Sequence, residues 1–595
     1  MEELFVHHIS NVIIKNFKSI SSCEFPLSYY TPLVGYNNAG KTNILRAISW
    51  AIRKSSLSSE DFHNSAQPVE VEAEISGITE EVLHALGDVH RPRIEPLVVD
   101  GKVRIKRTQL IPGAPIGAIR FEVEKIEDGH RIWAPIPTGI DAAIMALFPE
   151  PIFVGAMENA TEDVAKFGAG TTIGKLLKEI MSPVVDRHTP TVANALLAVA
   201  SQLSATSENK DETLVALDAR IQAQLERFFP GVTAKSHVPV PEFADFMKGA
   251  TIKLFEQGFD NGDGRDVAAL GHGAQRSVQI SLIKCLSEVK READGNAGRT
   301  TLLLIDEPEL YLHPQAIEVV RSALNRLSGE GYQVIATTHS ANMITRRDAP
   351  NTLLIRRNVA QGTVCMPRIG DAVRDVIVGA DHQSDILFGL SNSAKILFSE
   401  RVGIAEGKTE RAILPAIFER EFGVSPDEDK LGLVEVGGSS NVHKAKRVLD
   451  VMGVPCKSIV DLDFAFQVAP TAGLIDNADA SVAACKVILQ RLRDQGLVQL
   501  DAAGLPQSFN GTSAAQAFEV LAQQVDAQVP ISEIHTKLLE AGIWVWTKGA
   551  IEAHLGIAKT NPARAAFLEQ LHDEGYRAGL PDYQSVVAAV TWLRE

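Results

Sequence analysis

Thr301–Pro314 reads TLLLIDEPELYLHP, and the fold follows from how this stretch is read. Four apolar residues, Leu302 to Ile305, make a run suited to a strand buried on both faces. Asp306 and Glu307 follow at once, where such a strand would leave its sheet. Ligands of open α/β sheets gather outside the carboxyl ends of the strands. One carboxylate there can hold Mg²⁺, and a second beside it can polarise an attacking water. An acidic pair after an apolar run is common, so its weight rests on partners far away in the chain.

The first partner lies upstream. Pro32, Leu33 and Val34 lead from a strand into Gly35-Tyr36-Asn37-Asn38-Ala39-Gly40-Lys41-Thr42, with the helical stretch KTNILRAISWAI behind it. This is GxxxxGK[ST] in the strand–loop–helix setting that the motif requires. Gly35 and Gly40 let backbone N–H groups turn inward around phosphate, the helix N-terminus adds positive potential, and Asn38 is a further candidate for nucleotide binding. Lys41 is expected to reach the β- and γ-phosphates, and Thr42 to join Asp306 in holding Mg²⁺.

Two further pieces flank the acidic strand. Leu270-Gly271-His272-Gly273-Ala274-Gln275-Arg276-Ser277 opens an apolar-rich helix after the loop Asn261–Arg265. In this position it resembles the signature motif of ABC-type ATPases, with Gly271, Gly273 and Gln275 facing the γ-phosphate of a nucleotide held by another subunit. Val334–Thr338 is a second apolar strand ending in His339-Ser340, and His339 is expected to sense the γ-phosphate. P-loop, signature helix, acidic strand and terminal histidine together resemble an ABC ATPase of the SMC/RecF type, split by an insert. Glu307 is its expected catalytic carboxylate. No glutamine loop is assigned.

Composition sets the bounds. The 595 residues suffice for about three or four domains at roughly 150 residues each. With 45% hydrophobic and 22% charged residues, the chain has an ordinary globular composition. Five scattered cysteines, with no CxxC pair, argue against a disulfide framework and for a reducing, cytoplasmic setting. No signal-peptide core and no long apolar run is present, so no membrane span is expected. A net charge of −16 disfavours a passive DNA coat, though not an enzyme that meets DNA through a local groove and metal ions.

Between the motifs, Val12–Ile20 and the alternating Val69–Ile75 read as strands, and Val98–Val103 as a hairpin with an Asp-Gly turn. Arg91, Arg93, Lys102, Arg104, Lys106 and Arg107 make this region basic: a solvated sheet face or a nucleic-acid contact. From Thr171 to Phe229 the pattern is helical, with Leu214, Leu217, Ile221, Leu225 and Phe228 at three- and four-residue spacings. Pro230-Gly231 ends it, and the polar stretch Ser204–Asp211 divides it into a hairpin. Its apolar stripe serves either an internal core or a dimer seam. Asn351–Arg357 reads as the last strand of the ATPase, and Gly362–Gln383 as a linker.

A second constellation follows. The short strand Val402–Ala405 delivers Glu406, and Glu410 lies four residues on at a helix start. A later strand, Cys456–Val460, ends in Asp461-Leu462-Asp463. Alternating strands and helices imply a parallel sheet, which gathers these acids at one carboxyl edge. Clustered carboxylates call for divalent cations. Near the end, Ile543–Trp546 leads into Thr547-Lys548-Gly549-Ala550-Ile551-Glu552. Lys548 could offset charge on a scissile phosphate, and Glu552 could be a metal ligand or a helix cap. Asp476, Asp479 and Glu519 are undivided candidates for a further acidic ligand.

EGKTE after one strand and DLD after another resemble a Toprim domain. An SMC-like ATPase followed by Toprim resembles the OLD (overcoming lysogenization defect) nucleases over nearly the whole chain. VGYNNAGKTNIL, LLLIDEPELYLHP and RVGIAEGKTE carry the likeness most specifically. It implies an α/β chain with an ATPase at 1–170 and 233–380, a helical dimerisation insert at 171–232 and a Toprim domain at 390–595. It also implies an ATP-controlled, metal-dependent DNA endonuclease or nickase, often in anti-phage defence. The cofactors are ATP with one Mg²⁺, and two Mg²⁺ or Mn²⁺ ions at the Toprim site. Glu406, Asp461 and Asp463 are assigned to one ion, and Glu410, with a partner behind it, to the other. Partners would be DNA, a second copy (a dimer, or a tetramer) and a helicase or other defence protein. One departure from the pattern is Leu270, where many ABC proteins carry serine before the first glycine. Three rival readings are a topoisomerase, which would need a tyrosine nucleophile, a repair scaffold of the SMC/RecF type, and a primase.

Overall fold

The run Thr301–Ile305 is a strand with every residue buried. It pairs in parallel with Tyr332–Thr338 on one side and Ile152–Val154 on the other. In this computed structural model the chain divides into two units. One comprises Met1–Lys18, Pro26–Tyr30 and Thr42–Thr337; the other comprises Ser19–Phe25, Thr31–Lys41 and Thr338–Glu595. The structure describes residues 7–595 apart from 128–129, 136–138, 149–150, 157–180, 182–186, 193, 195, 198, 200, 227, 238–251, 256–263, 293–299, 346, 359–360, 377–391, 477 and 509–512.

The first unit also carries an antiparallel series: His8–Phe17, Val69–Ser76, Lys102–Gln109, Arg120–Glu127 and His130–Pro135. Val69, Val71, Ala73 and Ile75 are buried, as their alternation requires. Of the basic run, Arg91 and Arg93 lie on the helix Gly87–Ile94, while Lys102, Arg104 and Lys106 lie on a sheet face laced by cross-strand ion pairs. Lys102 pairs with Glu74 at 2.9 Å, Arg104 with Glu124 at 2.7 Å and Lys106 with Glu122 at 3.3 Å. Arg107 points the other way. It is buried, pairs with Asp141 at 2.9 Å and donates to the carbonyls of Ala51 and Ile52, which end the helix Lys41–Ile52.

Two expectations need correction. The Asp100–Gly101 turn forms, with both residues at positive φ and Val99 and Lys102 exchanging backbone bonds of 2.9 Å. It closes a single bridge, not a hairpin, because Lys102–Gln109 finds its ladder on Val69–Ser76 instead. The stretch read as a linker begins with a strand, Gly362–Cys365, antiparallel to Leu353–Asn358, and continues with a helix, Ile369–Val376. Leu353–Asn358 is therefore not the last strand there. GTVC is too short to show a period, and only its pairing across the Gly362 turn (φ 73°) makes it a strand.

In the insert, Glu212–Leu225 is a helix capped by Asp211, whose carboxylate accepts from the Thr213 N–H. None of its residues is buried. The stretch 171–186 and the loop Asn261–Asp263 lie largely or wholly outside the described residues.

In the second unit, a four-stranded parallel sheet runs in the order Leu431–Glu435, Arg401–Ala405, Cys456–Val460, Ile543–Val545. The chain leaves the Arg401 strand for one neighbour and then crosses to the other. The carboxyl ends of Arg401–Ala405 and Cys456–Val460 therefore flank a topological switch point, where an α/β sheet opens a crevice. Val34 and Leu354, from strands beside the P-loop, belong to the same apolar cluster as Ile396, Leu397, Val402 and Ile404 of this lobe. Among the described residues no helix is long and apolar enough to cross a membrane.

Candidate functional site

The P-loop is held tightly by its own unit. A Cβ on Gly35 would meet the Ile355 carbonyl oxygen at 2.2 Å, and Gly40, at φ 99°, abuts Thr363 Oγ1, so neither position admits a side chain. Asn38 also takes positive φ, 64°. The Lys41 ammonium donates to the carbonyls of Gly35 (2.9 Å) and Tyr36 (3.0 Å) and to His339 Nε2 (2.8 Å). The sequence-distant pair Lys41 and His339 is thus in direct contact.

In the other unit, Thr42 Oγ1 donates to Asp306 Oδ2 at 2.9 Å, and Thr337 Oγ1 donates to Asp306 Oδ1 at 2.5 Å. Glu307 adopts positive φ, 46°, and its N–H donates to Thr337 Oγ1 at 2.9 Å. The buried Arg276 guanidinium donates to the carbonyls of Asp306 (2.9 Å) and Glu307 (2.8 Å). The signature helix, His272–Glu292, is thereby tied to the acidic turn by a residue to which the sequence reading gave no role. His272 stacks on Tyr311 with centroids 5.2 Å apart, and a Cβ on Gly273 would lie 3.1 Å from the Tyr311 carbonyl. Gln275 Nε2 donates to the Leu270 carbonyl, and Gly271 has open space around it.

At the carboxyl edge of the four-stranded sheet, Glu406 and Asp461 meet: the Asp461 N–H donates to Glu406 Oε2 at 3.1 Å. Burial, and then the Asp463 charge, push the Glu406 carboxyl up to about 7. Burial likewise raises the Asp461, Asp463 and Glu410 carboxyls from their ordinary values, with Glu410 adding to Asp461 and Glu552 adding to Glu410. Glu410 Oε1 accepts from the Trp546 indole N–H at 3.1 Å. Glu552 Oε1 accepts from Thr409 Oγ1 at 2.5 Å. Glu519 is half-buried, and burial and then Glu552 raise its carboxyl.

Of the three undivided acids, Glu519 is the one at the site. Gly549, at φ 105°, packs against its backbone. Asp479 instead caps the helix Ala480–Asp494 and pairs with Lys537, and Asp476 accepts from the Ala478 N–H.

The lysine at the cluster is one the sequence reading missed. Lys559 Nζ lies 3.2 Å from Asp461 Oδ2. Although burial opposes it, Asp461, Glu552 and Glu410 together raise this ammonium above its ordinary range. Lys548 is turned aside, 3.4 Å from both Asp582 Oδ2 and the Pro581 carbonyl. Its backbone N–H donates to His554 Nε2 at 3.2 Å, while His554 Nδ1 lies 2.7 Å from Asp582 Oδ2. Burial lowers His554 to about 4, so the ring is neutral and bridges the Lys548 backbone to Asp582.

Among the described residues, no three His, Cys, Asp or Glu side chains converge closely enough to grip an ion as they stand. The donor chemistry nonetheless fits a hard divalent cation. Asp461 Oδ1, Asp463 Oδ1 and Glu552 Oε2 are buried oxygens without a hydrogen-bond partner among the described residues. Such oxygens call for positive charge, which the Lys559 ammonium already brings to this spot.

Two family models match the chain. An AAA ATPase domain covers residues 8–85 and 159–344, and an overcoming-lysogenization-defect-protein-like TOPRIM domain covers 397–463. The Old nuclease of Escherichia phage P2 is 34% identical over 98% of this chain and 99% of its own length. The chain belongs to the OLD nuclease family. It joins an ATPase domain to a Toprim domain, the make-up of a nuclease with ATPase activity that uses nucleotide and divalent metal. The OLD nuclease of Thermus scotoductus is 21% identical over 76% of this chain and 81% of its own length. Endonuclease GajA of Bacillus cereus is 22% identical over 73% of this chain and 71% of its own length.

Proposed function

We propose that this OLD nuclease is a DNA endonuclease whose cutting site is the carboxylate cluster of the C-terminal lobe and whose access is governed by ATP. The observation that carries the reading is the meeting of Glu406, Asp461 and Asp463 at a switch point, with buried oxygens left without partners. Glu406, Glu410, Asp461, Asp463 and Glu552 would hold two Mg²⁺ or Mn²⁺ ions, with Glu519 beside Glu552. Ions bound there would supply Lewis acidity to the attacked phosphate, the attacking water and the leaving oxygen. Lys559 takes the role that Lys548 was expected to fill, bringing an ammonium to the scissile phosphate, while Lys548 shapes the loop that carries Glu552.

ATP would bind with its phosphates on Gly35, Asn38, Gly40 and Lys41 and its Mg²⁺ on Thr42 and Asp306. Glu307 would polarise water and His339 would sense the γ-phosphate, with Gly271, Gly273 and Gln275 facing a nucleotide on a second copy. Two contacts support nucleotide control of the nuclease. The P-loop residue Tyr36 has Arg356 5.0 Å and Lys430 5.7 Å from its ring centroid. Arg356 in turn donates to the Ser399 carbonyl, and Lys430 pairs with Glu400 at 2.7 Å, at the entrance to the C-terminal lobe. We assign dimerisation to the insert at 171–232, where Val215, Leu217, Ile221, Phe228 and Phe229 stand exposed. The ATPase is assigned to 1–170 and 233–380 and the Toprim domain to 390–595. We assign the protein, as the resemblance to the OLD nucleases implies, a role in defence against phage, acting in the cytoplasm.

Purified protein incubated with supercoiled plasmid and Mg²⁺ or Mn²⁺, with and without ATP, tests the reading. Wild type should nick or linearise the plasmid, Glu406→Ala should not, and Lys41→Ala should cut without responding to ATP. Cleavage that survives Glu406→Ala would move the active site elsewhere. A covalent protein–DNA adduct would favour the topoisomerase, and incorporation of labelled nucleotides the primase.

A further inference from the structure

Building on the carboxylate-site reading, we infer that Thr409 and Trp546 are positioning residues, a reciprocal clasp that presets the metal-binding geometry of Glu410 and Glu552. Thr409 sits between Glu406 and Glu410 at the start of the helix Lys408–Phe422 and is buried. Its hydroxyl does not cap its own helix but donates to Glu552 Oε1, 143 residues further along the chain. Trp546, fully buried at the end of the Ile543–Val545 strand, returns the contact by donating its indole N–H to Glu410 Oε1, 136 residues back. Each segment that delivers a carboxylate thus supplies the donor that fixes the carboxylate of the other.

The bonds also decide which oxygen faces inward. With Glu552 Oε1 taken by Thr409, Oε2 is left buried and without a partner. A carboxylate pinned through one oxygen offers the other as a monodentate ligand of fixed direction. Fold stability alone does not account for this arrangement. The cluster around it is apolar, including Ile413, Phe418, Ile551 and Leu555. Burying acids there costs more than a hydrocarbon pair of similar volume would. Donors one step behind a ligand shell that hold its members in place are worth roughly 10–100-fold in metal affinity.

The test is Mn²⁺ binding to the full-length protein by titration calorimetry. Wild type, Thr409→Val, Thr409→Ser, Trp546→Phe and Glu406→Ala are compared, each first melted in EDTA to establish folding. Thr409→Val keeps the shape and removes the donor, and it should raise the Mn²⁺ Kd by roughly 10–100-fold. Thr409→Ser restores the hydroxyl and should bind nearly as wild type. The Mn²⁺ concentration for half-maximal cleavage should shift in step, while kcat at saturating Mn²⁺ largely recovers. A folded Thr409→Val that binds Mn²⁺ as wild type overturns the clasp, as does a Thr409→Ser no better than Thr409→Val. Should Thr409→Val fail to fold, Trp546→Phe carries the same comparison, and wild-type affinity in it overturns the clasp. If wild type itself binds no Mn²⁺ beyond what Glu406→Ala binds, the metal reading fails and the clasp falls with it.

Discussion

At Asp306 each carboxylate oxygen receives a hydroxyl, one from Thr42 and one from Thr337. At Asp461 one oxygen receives the Lys559 ammonium and the other has no partner among the described residues. Both acids follow buried parallel strands, so the strands alone do not make the difference. The ATPase acid has both of its oxygens hydrogen-bonded by neutral hydroxyls. The Toprim acids repel one another in a buried crevice, and burial holds their carboxyls high. One acid therefore has its hydrogen-bonding capacity met by hydroxyls as it stands, while the others are crowded electrostatically until more positive charge comes in.

The largest contrast is expected from neutralising one acid at each place. Asp306→Ala leaves the Thr42 and Thr337 hydroxyls without acceptors and should destabilise the protein by about 1–3 kcal/mol. Glu406→Gln should do the opposite in EDTA. Its carboxyl rises from 4.5 to about 7 on burial, so at pH 8 the metal-free protein should gain up to about 3 kcal/mol. Melting both variants in EDTA checks the pair, and a destabilised Glu406→Gln would break the contrast.

The next effect is in pH. A carboxyl raised in the folded state stabilises the protein below its unfolded value of 4.5, and that contribution is lost as pH rises through about 7. The metal-free melting temperature should therefore fall between pH 5 and 8. Cations compete with these same protons, so Mn²⁺ should bind more weakly at pH 6 than at pH 8 and release protons on binding. Calorimetry in buffers of different ionisation enthalpy reads both. An affinity that does not change with pH would mean the acids are already ionised.

A smaller effect sharpens the comparison from outside. On the Lys102–Gln109 sheet face the Lys102 side chain is half exposed in its pair with Glu74, so Lys102→Ala should change stability by less than about 1 kcal/mol. It should leave DNA affinity and its salt dependence unaltered in a filter-binding series. A clear loss of affinity would return this face to the nucleic-acid contacts.

The parallel strands and their terminal acids were legible because both signals are local. A short apolar run followed by a carboxylate marks a strand end wherever it falls, and GxxxxGKT fixes its loop by glycine geometry. The rest depended on groups that only the fold brings together. Lys559 follows a Gly556 turn and carries no pattern of its own, yet it reaches Asp461 across 98 residues. Thr409 stood inside the quoted EGKTE without a role, since spacing cannot show where a hydroxyl points. Lys548 lay next to the right strand, but His554 and Asp582 turn it away. Glu519 could be separated from Asp476 and Asp479 only by what each one touches.

The apolar cluster that takes in Val34 and Leu354 together with Ile396, Leu397, Val402 and Ile404 bears on how such a chain can be recombined. A fragment cut near residue 390 would shed Val34 and Leu354 and bare the apolar side chains they cover. Swapping nuclease halves between relatives at that junction should give poorly soluble chimaeras, unless Thr31–Val34 and Leu353–Asn358 are exchanged with the half they serve. The boundary of inheritance in this protein thus runs through its first fifty residues as well as through its middle.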